Sequence, residues 1–286
     1  MRFIAVATAL TLASSLSIVS PVRGDTLDKI KSSHTIILGY TTDAPPFSFL
    51  GSDGQPQGFS VDLCQRVVAA TKLAIKADDL MVKYVPVRGE ERLTKLESGE
   101  IDIECGTSTR TLSREARVDF TLFTFITGTE LLVPLHSDIY SAADLGGKKI
   151  AVMPGTTTYD VITNILKDRL TNGTVVSVKD NADGLKAVKD GRADAYASDE
   201  VILIGVARNA EDPAFYRLSG TMYSYEPYAF MVRQNDAAFR LIANRALAQI
   251  YRSGQIWDIY KHWFSEWRAK PSAILTALYA IQSLSD

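Results

Sequence analysis

The chain has 286 residues, 46% of them hydrophobic and 22% charged, with a formal net charge of −2. That balance is the one expected of a folded soluble protein long enough for two lobes, and it excludes a disordered or low-complexity chain. It also excludes a nucleic-acid partner, because neutralising phosphates requires a basic face that this charge does not supply.

Arg2 followed by an apolar run rich in Ala and Leu, then the polar break PVRGD, predicts a signal peptide over 1–24 and export to the periplasm. Removing Arg2 and Arg23 with it leaves 29 basic against 33 acidic residues, a net charge of about −4. No cysteine stands at the cleavage site to take a lipid anchor, and no later apolar run reaches the roughly 20 residues of a membrane span.

From His34 onward, short β-branched runs alternate with helical patterns, as in α/β units with largely parallel sheets. IILGY (36–40) reads as the first strand. Ser60 then caps a helix with Leu63, Val67, Ala70 and Ala74 on one face. MVKYVPV (81–87), the helix EERLTKLESG and IDIEC (101–105) complete one open-sheet unit, and ligands of such sheets bind beyond the carboxyl ends of the strands. A second cycle follows TGTELLVPL (127–135): the short helix SAADLGG, strand KKIAVM, a helix opened by GTTTYDVITNIL, strand TVVSVK, a helix around Leu185 and Val188, and strand ADAYAS (193–198). Two such sets imply two lobes with a cleft between them. YAFMVR (228–233) is expected to pair with TELLVPL as a second crossing strand. Beyond it, Phe239, Ile242, Ala246 and Ile250 mark one helix, and Trp257, Tyr260 and Trp263 another whose aromatics read as core packing. Cys64 and Cys105 are the chain's two thiols, which either form a disulfide in an oxidising compartment or stay two small buried residues.

Six segments in fixed order, PPFSF (45–49), GFSVDLCQRV (58–67), RLTKLESGEIDI (92–103), TSTRTLSREARVDFT (107–121), ADLGGKKIAVMPGTTT (143–158) and GRADAYASDE (191–200), resemble the type-II periplasmic amino-acid-binding proteins of ABC importers, the bacterial extracellular solute-binding family 3. IECGTST and MPGTTT look most like the glutamate/aspartate branch, and TRTLSRE is closer to the general L-amino-acid branch. The resemblance implies two open-sheet α/β lobes joined by two hinge strands, with lobe one built from 25–126 and 224–286 and lobe two from 127–223.

An amino acid held out of water needs a cation for its carboxylate and an anion for its ammonium. Arg114 follows the loop Gly106-Thr107-Ser108-Thr109 and so lies at the cleft end of lobe one, where a guanidinium grips a carboxylate bidentately. The resemblance assigns it the α-carboxylate, with Thr107 and Thr109 adding contacts; a surface pairing with Glu115 or Asp119 is the alternative. Thr156 and Thr157 open a helix whose free N–H groups favour an anion, so they serve as carboxylate donors, as N-caps, or both. Asp199 either caps the helix that follows it or, as the resemblance implies, accepts the α-ammonium. Arg92 matches an arginine that holds a side-chain carboxylate in the glutamate/aspartate branch, or else pairs with Glu90 or Glu91. Thr41 stands where that branch has an arginine and Asn181 where it has a histidine, while Ala44 and Gly89 replace aromatics that sandwich the ligand in other branches. One remaining cation among neutral polar groups implies glutamate, aspartate, glutamine or asparagine as ligand, with acids and amides closer in affinity than in a dedicated glutamate/aspartate binder.

The expected protein is therefore a monomeric, non-enzymatic hinge-closure binder that delivers an L-amino acid to the membrane permease of an ABC importer and needs no cofactor. His34, His136 and His262 are too scattered to hold a metal, and no G-x-S-x-G, P-loop or G-x-G-x-x-G motif is present. The alternatives are a periplasmic cyclohexadienyl dehydratase using the same cleft and a soluble ligand carrier for a receptor.

Overall fold

A computed structural model of the chain describes residues 26–89, 91–168, 172–267 and 270–285; the expected leader and Glu90 lie outside them. Helix α1 (Thr26–Ser33) precedes strand β1 (Thr35–Tyr40), and a small antiparallel sheet of β2 (Asp43–Ala44), β3 (Ser48–Leu50) and β4 (Pro56–Gln57) leads into α2 (Phe59–Ile75). Helix α2 buries Phe59, Leu63, Cys64 and Val67 along one side, each large apolar side chain contributing about 2 kcal/mol. Its cap is Gly58 at φ 131, and Ser60 is buried with its N–H donating to the Phe47 carbonyl, so the expected serine cap is replaced by a glycine turn that enters the helix two residues earlier.

Strands β5 (Met81–Pro86) and β6 (Ile103–Glu104) both run parallel to β1, with α3 (Glu91–Ser98) crossing between them. IDIEC is thus ordered as strand over two residues only, since the chain turns at Gly106 toward the cleft. After the single-turn helix α4 (Leu112–Glu115), the ten-residue strand β7 (Val118–Thr127) crosses to β8 (Thr129–Pro134). The second sheet adds β9 (Lys149–Val152), β10 (Thr174–Ser177), β11 (Ala195–Asp199) and β12 (Tyr216–Leu218), with α5 (Thr157–Asp168), α6 (Asn181–Lys189) and α7 (Glu200–Arg208) between them. Strand β13 (Glu226–Arg233) returns, followed by α8 (Ala237–Ser253), α9 (Gln255–Phe264) and α10 (Ala273–Ile281).

The sheet orders are β5-β1-β6-β13-β7 and β10-β9-β11-β8-β12. Strand β13 therefore pairs antiparallel with β7 and β6, and the expected pairing of YAFMVR with TELLVPL is incorrect. The reason is the crossing at Gly128: β8 has already joined the second sheet, against β11 and β12, which leaves β7 as the open edge for the returning chain. The last helices pack on the first sheet's core, where Phe239, Leu247, Ile256, Tyr260, Phe264 and Tyr279 meet Phe59 and Phe125. The Sγ atoms of Cys64 and Cys105 are 2.08 Å apart and their Cα atoms 6.0 Å, joining α2 to the chain just after β6.

Candidate functional site

Three backbone features build the cleft. The loop after β6 is laid alongside β13 by bonds from Arg110 N to Pro227 O (2.9 Å) and from Ala229 N to Ser108 O (3.0 Å), which hold Thr109 beside the start of β13. Gly155, at φ 75, turns β9 into the N-terminus of α5 and brings Thr156–Thr158 to the same place from the other sheet. The two crossings touch backbone to backbone, since a Cβ on Gly128 would sit 2.1 Å from the Ser224 carbonyl oxygen.

Between the lobes lies a cavity of about 70 Å³. Thr41, Arg92, Thr107, Thr109, Thr156, Thr157, Asn181 and Asp199 line it, together with Ala44 and Gly89. Arg114, the ninth residue expected there, lines an adjoining depression with Thr111, Arg117 and Asp160 instead. Its guanidinium is turned onto protein carbonyls, Nη1 donating to Thr109 O (2.8 Å) and Nη2 to Gly155 O (3.5 Å) across the cleft. Only 8% exposed, Arg114 is not a surface residue; Glu115 pairs with Arg110, and Asp119 with Arg240. Arg92 is 6% exposed, its Nε has no hydrogen-bond partner, and Glu91 pairs with Lys95.

Most hydroxyls are already committed. Thr156 Oγ1 accepts from Tyr159 N (3.1 Å), so this threonine caps α5, and it donates to Met153 O (2.7 Å). Thr41 Oγ1 donates to Ser48 O (3.2 Å). Asn181 faces the opposite lobe: its N–H donates to Asp43 Oδ2 (2.7 Å), its amide nitrogen to Asp43 O (3.0 Å), and its amide oxygen accepts from Tyr196 Oη (2.6 Å). Asp199 makes no helix-capping bond; it accepts from Tyr228 Oη and from Thr158 Oγ1 (3.4 Å).

Sequence reasoning missed Glu226, the first residue of β13. It is 2% exposed, its Oε2 accepts from Thr109 Oγ1 and Thr157 Oγ1 (both 2.7 Å), and its Oε1 accepts from Ser224 Oγ and Thr129 Oγ1 (3.5 Å). A carboxylate opening an apolar strand is the signal that was available, because buried acids are rare unless partnered. Burial, and then the Glu226 carboxylate nearby, push the Asp199 carboxyl up to about 7. Burial likewise raises Glu104 on β6, opposed by the charge of Arg92, and raises Asp43, opposed by the Asn181 N–H. The cavity thus presents an arginine and an aspartate, each more than nine-tenths buried, between two bodies joined by two tight crossings.

The profile of bacterial extracellular solute-binding proteins, family 3, matches residues 36–266. The L-glutamate/L-aspartate-binding protein of Pseudomonas aeruginosa is 35% identical over 253 residues, covering 88% of this chain and 84% of that protein. Among solved structures, a mutant of ArgBP from T. maritima superposes with a TM-score of 0.75 at 27% identity, over 84% of this chain and 99% of that one. The ancestral amino acid-binding protein AncCDT-1, described as a precursor of cyclohexadienyl dehydratase, gives a TM-score of 0.72 at 27% identity over 84% of this chain and 100% of that one. With most of its length matched in both sequence and fold, the chain belongs to the bacterial extracellular solute-binding proteins, family 3.

Proposed function

We propose that this chain captures glutamate, aspartate, glutamine or asparagine in the periplasm, after removal of residues 1–24, and presents it as a monomer to the permease of an ABC importer. Lobe one comprises 25–126 and 224–286 and lobe two 127–223, a division supported by the membership of β13 in the first sheet and of β8 and β12 in the second. The observation that carries the reading is the small cavity bearing buried Arg92 and buried Asp199, since a pair of opposite charges kept from water favours a zwitterion over a neutral solute. Asp199 accepts the α-ammonium and Arg92 meets the side chain. The first N–H groups of α5 and Arg114, exchanging its carbonyl contacts for the ligand, hold the α-carboxylate. Because these groups come from both lobes, ligand binding favours the closed form.

A ligand selective for the native state stabilises it by about 2.7 kcal/mol at a concentration of 100 Kd. The mature chain should therefore melt several degrees higher with L-glutamate or L-glutamine, and Arg114→Ala should lose most of that shift. A full shift in Arg114→Ala contradicts the carboxylate assignment. Incubation with prephenate or arogenate should give no turnover, and measurable product would favour the dehydratase reading.

A further inference from the structure

A threonine hydroxyl has one proton to give and lone pairs to receive. Thr109 and Thr157 come from opposite lobes, their oxygens 3.4 Å apart, and each donates to the same Glu226 oxygen at 2.7 Å. As a carboxylate, Glu226 returns no proton. It is itself fixed, by Ser224 and Thr129 on its other oxygen and by the main-chain pairing of residues 108–110 with 227–229. With those protons turned inward, Thr109 and Thr157 offer the cavity lone pairs, which suit an ammonium and repel a carboxylate.

We propose that Glu226 is a positioning residue that sets the polarity of these two hydroxyls, making them acceptors for the ligand's ammonium alongside Asp199. The inference rests on the amino-acid reading above and reverses the role expected of Thr157 there, leaving the carboxylate to Arg114 and backbone N–H groups. Glu226 thereby selects for an amino group over a hydroxyl at the α-carbon without touching the ligand.

The test compares the affinities of L-glutamate and (S)-2-hydroxyglutarate, which share both carboxylates and differ only in that group. Wild type should prefer glutamate strongly. Glu226→Gln, whose amide can donate to the threonines and release their protons toward the cavity, should lower the preference at least tenfold, and Glu226→Asp should keep it within about threefold even if both ligands weaken. Thr157→Val, nearly isosteric, should weaken glutamate at least fivefold and 2-hydroxyglutarate less than twofold. Parallel loss for both ligands in Glu226→Gln makes Glu226 merely structural, and parallel loss in Thr157→Val returns that hydroxyl to the carboxylate; either result overturns the inference. Wild type that binds neither probe overturns the amino-acid reading and this one with it.

Discussion

An aspartate whose carboxyl is pushed up to about 7 accepts an ammonium only after losing its proton. Asp199 lies among Glu226, Tyr228, Thr158 and the charge of Arg92, and burial is the largest cause of its rise. Ligand affinity should then fall about tenfold per pH unit below about 7 and level off above it. Stability of the ligand-free protein follows the opposite course. The contribution of Asp199 is fully present below the unfolded value of about 3.9 and is lost as pH rises to about 7, because over that range only the unfolded chain ionises there. The thermal shift caused by ligand should grow from pH 5 to pH 7.5, and Asp199→Asn should both weaken binding and flatten the profile. A pH-independent shift in wild type contradicts the role given to Asp199. At this scale the sequence was informative where residues sit at strand ends and helix starts: the motifs around Thr107, Thr156 and Asp199 carry local turn chemistry that places side chains at the cleft. Glu226 escaped because its partners Thr109, Thr129 and Thr157 are remote in sequence, and their meeting depends on β13 pairing with β7 rather than β8.

Strand alternation made most of the elements readable, and the one wrong pairing came from where the chain changes sheets. A single glycine, Gly128, decides it, since the Ser224 carbonyl and Met222 fill the space a side chain would need. Gly128→Ala should force the crossings apart and lower both stability and ligand affinity, by about 1–3 kcal/mol for overpacking at a site with no room to yield; a variant as stable as wild type would contradict this. The bond between Cys64 and Cys105 ties α2 to the base of the loop carrying Thr107 and Thr109 and closes a separation of 41 residues. In the chain-entropy account such a closure is worth about 4 kcal/mol at most. Unfolded, unreduced protein should therefore expose no alkylatable thiol, whereas two alkylated cysteines would show that the pair is open. Spacing alone left the pair undecided, because whether a helix residue and a strand-end residue come within about 7 Å depends on how α2 packs against the sheet.

Across the whole molecule, the lobes meet through polar contacts that include Arg88 with Asp180 at 3.6 Å, Asn181 with Asp43, Thr157 with Thr109 and Glu226, Asp199 with Tyr228, Arg208 with the Glu266 carbonyl, and Arg114 with the Gly155 carbonyl. The half-exposed Arg88–Asp180 pair is worth about 0–1 kcal/mol, and a solute bridging the lobes adds contacts that only the closed form can make. The paired βαβ sets predicted that two-body architecture from the sequence. The preference for one side chain was less legible, because it depends on Arg92 lying buried with its Nε unpartnered while the amide of Asn181 is spent on Asp43 and Tyr196. Calorimetric titration of the mature chain with each of the twenty amino acids tests the central claim most directly. The account predicts one-to-one binding of glutamate, aspartate, glutamine and asparagine, acids and amides within about tenfold of each other; a clear preference for lysine, arginine or the branched aliphatic residues would contradict it.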